Sequence, residues 1–358
     1  MHSKPTVPPG RRPGRFNLST TARLAFLTSL PAVVALDSAA QNQSLSFTGG
    51  VLLNTKVNFK GLGAHPAGSQ PGPATGGSFD RTYDNGFNRV DNSGNANNTT
   101  VNYGYQTTSQ IGAAGVTLTS ASAESSVALE DAGAFIEPSA NLEYRGSLGS
   151  WGESDWGVLL GVGYQTVNQN VAGSFVTDAS VIEDRFSLGA GVAREDLPPA
   201  PFSGTASSDV PRISSEPFRA LRTVPGARRL DGSWKFTSEF IPITGGLYFE
   251  FQVAGRLNAI ASAGLLAAFV NAELRYQETS TVGVLPPVQD DGADGTNDFI
   301  LGGFVQLGVD WALWENASLV AGARWQPAQE FNHSVEGRTV ELDFSVAFAV
   351  HAGFSFRF

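Results

Sequence analysis

The stretch that decides the fold is "SVAFAVHAGFSFRF", residues 345–358. Val346, Phe348, Val350, Ala352, Phe354, Phe356 and Phe358 fall on one side of it, and Ala347, Ala349, His351, Gly353, Ser355 and Arg357 on the other. That is a period of two, the pattern of a β-strand whose faces meet different surroundings. One face is apolar throughout, and the other mixes small residues with a histidine and an arginine.

The same alternation recurs upstream. Leu45 to Lys60 reads as one such run, with Phe47, Val51, Leu53, Val57 and Phe59 on its apolar side. In "AFIEPSANLEYRG" Ala134, Ile136, Pro138, Ala140, Leu142 and Tyr144 oppose Glu137, Ser139, Asn141, Glu143 and Arg145. Val158, Leu160, Val162 and Tyr164 oppose Gly157, Gly161, Gly163 and Gln165; Leu247, Phe249, Phe251 and Val253 oppose Tyr248, Glu250 and Gln252. Leu301, Val305, Leu307, Val309 and Trp311 oppose Gln306, Gly308 and Asp310, and Leu319, Ala321, Ala323 and Trp325 oppose Gly322, Arg324 and Gln326. Leu257 to Tyr276 is apolar on both faces near its middle, which suggests a bulge or a plugged interior.

Composition agrees with an all-β chain: 41 glycines, 10% aromatic and only 16% charged residues favour strands and turns over helices. With no cysteine, disulfides, thiolate metal sites and a cysteine nucleophile are excluded. Residues 1–40 read as a removable export signal, with Lys4, Arg11, Arg12, Arg15 and Arg23 ahead of and flanking the apolar "LAFLTSLPAVVAL" (24–36) and small residues at Ser38 and Ala40. Arg11 and Arg12 hint at twin-arginine export, but Pro13 and Gly14 fit that signal badly, so Sec export is expected. Its removal takes away five basic residues and Asp37, leaving 18 Lys and Arg against 32 Asp and Glu, a net charge near −14. Such a surface argues against a nucleic-acid partner.

No later run reaches the roughly 18 consecutive apolar residues of a membrane helix. The alternating segments run about ten residues, the length that crosses a bilayer at a tilt. Short turns at 147–154, 254–256 and 314–317 alternate with long polar stretches at 61–131, 170–237, 277–297 and 328–343. One rim therefore carries tight turns and the other long loops, the asymmetry of a transmembrane β-barrel with short periplasmic turns and long extracellular loops. A soluble sandwich also alternates, but its strands are shorter. Tyr144, Trp156, Trp311, Trp314 and Trp325 near segment ends suit aromatic girdles. The expectation is an all-β, antiparallel up-and-down transmembrane barrel over residues 41–358, of about eight strands, with ten or twelve possible. Glu137, Glu143, Arg145, Glu250, Asp310, Arg324, His351 and Arg357 would form a polar network in its lumen. At eight strands side chains fill the interior, so no aqueous channel is expected; ten or twelve strands would leave room for a small porin.

The export signal, the alternating strands and the ending "AGFSFRF" resemble Gram-negative outer-membrane β-barrel proteins, of the OmpA-like small-barrel kind. The resemblance implies residence in the cell outer membrane among lipid and lipopolysaccharide. It also implies that Phe354, Phe356 and above all Phe358 act as the signal read by the barrel assembly machinery. The segment "YDNGFNRVDNSGN" with "VNYGYQ" (83–106) is similar to one in uncharacterised exported barrels. The likeness implies fold and location, not an activity.

Residues suited to catalysis or metal binding are few. His351 and Ser355 are four residues apart, roughly 13 Å along a strand, too far for a nucleophile and its base; no catalytic residues are assigned and no enzyme is expected, a rim-located lipid-modifying activity being the weakest alternative. "DNGFNRVDNSGN" and "QDDGADGTND" (289–298) carry calcium-favouring oxygens but fit no EF-hand loop, so they read as solvated loop tips. "PGARRL" (225–230) places two arginines in a loop that could touch anionic lipopolysaccharide, but two such residues do not make a basic patch. No cofactor or metal site is assigned. The working expectation is a structural or surface-interacting barrel with a closed lumen.

Overall fold

A computed structural model describes residues 43–64, 71–123, 126–130 and 136–358; the expected export signal and Ala134 lie outside them. Eight long strands form the barrel wall: β1 (Gln43–Leu53), β2 (Glu137–Trp151), β3 (Ser154–Phe186), β4 (Phe218–Ala254), β5 (Leu257–Val282), β6 (Val288–Ala312), β7 (Ala317–Trp325) and β8 (Phe348–Arg357). Each pairs antiparallel with its chain neighbour, and β8 pairs with β1, so the ring closes. Closure leaves no unpaired backbone edge in the membrane, the requirement for crossing it with strands.

At one rim β2–β3 and β4–β5 are joined by two-residue turns, Gly152–Glu153 and Gly255–Arg256. Gly152 has φ 64° and Gly255 φ 51° at the first turn position, where the hairpin twist requires a positive φ that glycine adopts without strain. The opposite side differs from the loops that sequence suggested. Residues 170–237 and 277–297 are mostly not loops but continuations of β3, β4, β5 and β6, which run 33, 37, 26 and 25 residues. At about 3.3 Å per residue these strands far exceed an apolar band about 25 Å tall.

The chemistry of the faces inverts partway along those four strands. Near the turn rim the outward side is apolar, as on β5, where Ala259, Ala261, Ala263, Leu265, Ala267 and Phe269 alternate with inward Ile260, Ser262 and Gly264. Beyond Phe269 the outward residues become Asn271, Glu273, Arg275 and Gln277, and the inward ones Val270, Ala272, Leu274 and Tyr276, all buried. The switch falls on one row of register partners: Ile241, Phe269 and Phe299 are the last apolar row, and Thr166, Glu239, Asn271 and Asn297 the first polar one. The double apolarity of Leu257–Tyr276 is therefore an overlap of two opposite phases; the one register shift in the β5 ladders lies at the turn, between Gln252 and Ala254 opposite Asn258 and Leu257, and none falls from Asn258 to Tyr276.

The inverted inner face is covered by a second sheet. Its strands are Lys56–Leu62, Val127–Leu129, Phe331–Val335 and Arg338–Asp343. Val57, Phe59, Phe331, Val340 and Leu342 pack there against Leu230, Trp234, Phe236, Phe240, Leu274 and Tyr276. The run from Leu45 to Lys60 is thus two strands broken at Asn54, whose φ is 58°. Val57 and Phe59, which alternation places toward lipid with Phe47, are fully buried under this cap instead.

A third cluster sits at the far end of β3 and β4. Tyr83, Tyr103, Tyr105, Ile111, Leu118, Phe186, Leu197 and Ile213 form a compact head from the chain around residues 71–123 and 187–217.

Candidate functional site

The barrel lumen gathers the polar side chains, and the β1 ladder orders them from the turn rim inward through Ser44, Ser46, Thr48, Gly50 and Leu52. Nearest the rim, Arg145 on β2 reaches Glu250 on β4 at 3.3 Å and Asp310 on β6 at 3.4 Å. Arg357 on β8 reaches the same two acids, at 2.8 and 3.4 Å. In an eight-strand ring β2 faces β6 and β4 faces β8, so Arg145–Asp310 and Arg357–Glu250 bridge two crossing diameters. One level further in, Arg324 on β7 bonds Glu143 on β2 at 2.7 Å and Gln306 at 2.6 Å, with its guanidinium 5.1 Å from the centre of the Phe304 ring. Above them Gln165 and Gln326 join their amides at 3.0 Å.

Glu143, Glu250 and Asp310 balance Arg145, Arg324 and Arg357, so the three acids and three arginines cancel. A neutral, cross-linked charge set avoids the several kcal/mol per ion that uncompensated burial costs. Of the sequence-selected residues, Glu137 stands outside this set: at the far end of β2 its carboxylate accepts the Asn168 backbone N–H at 3.0 Å. His351 faces the lumen between them, where Gly50 gives it room; a Cβ on Gly50 would come within 2.9 Å of the His351 Cβ. With Thr48 and Asn141 it lines two cavities of about 20 Å³, each the size of a water. Ser355 lies elsewhere, bonded to Ser46 at 2.9 Å and to Arg145 at 3.4 Å.

Past the glutamines the lumen turns apolar. Leu52, Phe240, Leu266, Phe344, Ala347 and Ala349 fill it, with the Phe240 and Phe344 rings edge to face at 4.8 Å. A second buried charge centre follows, which the sequence reading missed. Glu278 accepts the Trp234 indole N–H at 2.7 Å and the Gly63 N–H at 2.9 Å, and pairs with Arg338 at 2.7 Å; Arg338 also reaches Asp290 at 2.5 Å. This ties the cap sheet to β4, β5 and β6. Arg228, read from sequence as a loop residue facing lipopolysaccharide, is 1% exposed and donates to the Gly63 carbonyl at 2.6 Å. Glu278 follows Tyr276 at the strand period, so a signal existed: a lone acid on the face that Leu274 and Tyr276 make apolar.

In the head, the acidic motifs serve structure. Asp84 and Asn85 cap a sheet edge, accepting the Ala121 and Thr119 N–H groups at 2.7 Å each. Such side-chain capping blocks further strand addition. Asp91 accepts the N–H groups of Ser93, Asn95 and Val101 and pairs with Arg212 at 2.9 Å. Burial alone would raise its pKa, but the hydrogen bonds from Ser93, Asn95 and Val101 outweigh it and hold the carboxyl at about 2, against 3.8. The stretch 289–298 is strand β6, not a loop tip. Among the described residues no group of three or more His, Asp and Glu is placed to hold a metal.

A depressed carboxyl pKa contributes stability that is complete above about pH 4 and is lost as pH falls toward 2. Asp91 is thus expected to make the head less stable by about 2 kcal/mol at pH 2 than at pH 6. Fluorine NMR of fluorotyrosine-labelled protein would follow Tyr103 and Tyr105; equal acid dependence in an Asp91→Asn variant would contradict the assignment.

A belt of apolar side chains surrounds the ring on its outside: Leu45, Phe47, Leu160, Leu247, Leu265, Leu307, Phe354, Phe356 and Phe358 are between 37 and 77% exposed. Trp156, Trp311 and Trp314 lie at its turn rim and Trp325 at its other border, where girdles belong. A closed ring with an apolar belt outside and paired charges inside defines a β-barrel of the outer membrane. No family model and no curated protein sequence matches this chain. Among solved structures it is similar to the outer membrane protease OmpT of Escherichia coli, at 10% identity over 91% of this chain and 99% of that one with a TM-score of 0.32. It is likewise similar to the outer membrane protein OprG of Pseudomonas aeruginosa, at 9% identity over 89% and 96% with a TM-score of 0.33. The attachment invasion locus protein Ail of Yersinia pestis aligns at 10% identity over 88% and 98%, with a TM-score of 0.23. These scores mark a distant likeness; the assignment to the class rests on the ring, the belt and the lumen.

Proposed function

We propose that this protein is a non-conducting outer-membrane barrel whose task is to hold a rigid head above the membrane for contact with other surfaces. The observation that carries the reading is the filling of the lumen at three successive levels: two diametric ion bridges, an apolar plug and the cap sheet. An ion would have to break each in turn. The extended walls of β3 and β4 make sense as a stalk, since a pore needs no wall beyond the bilayer, and the head closes their far end. The reading assigns no catalysis, and it keeps Phe354, Phe356 and Phe358 as the assembly signal; all three point outward from the last strand.

The competing reading is a small channel. Full-length protein refolded into planar bilayers is expected to show no stable conductance, whereas defined single-channel steps would replace the stalk reading by that of a pore.

A further inference from the structure

We infer that the protein joins a second copy of itself on a facing membrane, by antiparallel pairing of the free edge of β4 over Phe218–Val224. β5 ends at Val282, opposite Arg228, so β4 runs on beyond it with β3 on one side only. Among the described residues no strand and no loop backbone pairs with Phe218–Val224 on its other side. The free edge stops at Pro225, which has no N–H, and Gly226, whose N–H donates to Asp178 at 3.0 Å. Other edges of this sheet are protected. Asp84 and Asn85 cap the strand Gly115–Ala123 on the far side of β3, and β6 beyond its ladder with β7 carries Asp290, Asp291, Asp294 and Asp298. Phe218–Val224 holds no acid and no lysine. Its two arginines are already answered, Arg219 by Asp184 at 2.6 Å and Arg222 by Glu183.

The pattern of the edge selects its occupant. Phe218 and Leu221 are 68 and 69% exposed, large apolar side chains held in water far beyond the lipid belt. Laid antiparallel against its own copy with Leu221 opposite Leu221, the edge sets Phe218 opposite Val224, Arg219 opposite Thr223 and Ala220 opposite Arg222. Apolar residues then meet apolar ones and no arginine faces an arginine, as a stable cross-strand set requires. Direction selects the membrane. β4 descends from Phe218 near the head to Ala254 at the turn rim, so copies in one membrane present this edge running the same way. Only a copy anchored in a facing membrane presents it antiparallel.

The pairing rests on the reading of the barrel as a closed stalk with a contact-making head, and it names what is contacted. Full-length protein refolded into phosphatidylcholine vesicles, with heat-shifted migration on SDS gels as the check of folding, is expected to cluster them. Light scattering reads the clustering, at about 0.15 M salt to screen the chain's net negative charge. Leu221→Lys and Leu221→Glu each set a like charge opposite itself, and each is expected to slow clustering about tenfold. At 69% exposure neither change disturbs a core. Mixing Leu221→Lys vesicles with Leu221→Glu vesicles sets lysine opposite glutamate and is expected to restore clustering; both variants keep a negative net charge, so general attraction cannot do so. Wild-type vesicles that stay dispersed, single variants that cluster like the wild type, or a mixture that stays dispersed would each overturn the pairing. Stable single-channel steps from the same protein would instead overturn the closed stalk on which it rests.

Discussion

Replacing Arg145 by methionine is expected to destabilise the barrel by about 3–5 kcal/mol, the effect of leaving a buried charge without its partner. Arg145 is 3% exposed and holds two acids, Glu250 on β4 and Asp310 on the facing strand β6, and it also contacts Ser46 and Ser355. Arg357 cannot replace it, since it already engages both acids from the far side. The loss would appear in urea unfolding followed by tryptophan fluorescence in detergent, and as a lower temperature for the gel shift. Adding Asp310→Asn alone is expected to restore most of the stability, because Glu250 keeps Arg357 at 2.8 Å and the acids and arginines of the lumen again cancel. A single variant as stable as the wild type would show that Arg357 suffices to hold both acids, and the closed lumen would lose its main support.

Arg338→Met is expected to act as strongly but elsewhere. Arg338 is 1% exposed and pairs with Glu278 and Asp290, joining the cap sheet to β5 and β6; its guanidinium also lies 4.3 Å from the centre of the Tyr276 ring. Its loss leaves two acids facing each other beneath the cap, worth about 3–5 kcal/mol, and should release the chain between β7 and β8. Limited proteolysis within residues 326–347 is the measurement, with the gel shift of the barrel unchanged. Since the rim ion bridges stay intact, the variant should still not conduct. A cap as resistant as in the wild type would mean that its apolar contacts with Trp234 and Phe236 suffice to hold it.

All eight wall strands were visible in the sequence because a membrane imposes one chemistry outside and another inside over about ten residues, and the alternation records it directly. The lumen residues followed from the same parity, Arg145, Glu143, Asp310 and Arg324 among them. Which of them touch could not be read, because contacts across a barrel join residues such as 145 and 310 that only ring closure brings together. Glu137 shares that parity and yet bonds a backbone N–H, since its strand position lies beyond the ion pairs.

Parity misled wherever the surroundings changed along a strand. Val57 and Phe59 carry the same odd-numbered pattern as Phe47, but a left-handed residue at Asn54 redirects the chain from lipid to the cap core. The double apolarity of Leu257–Tyr276 was noticed, but its cause needed the neighbouring strands, because only their register shows the inversion falling on one row.

The sequence by itself determined that the chain is all-β, that eight segments alternate, and which side of each is apolar, since these depend on local residue types. Only the tertiary structure decided where the membrane ends on each strand, how the lumen charges pair, and that Arg228, Glu278 and Arg338 are buried. Those are properties of what surrounds a residue, and for a barrel with a cap the surroundings come from chain segments between about 50 and 215 residues away.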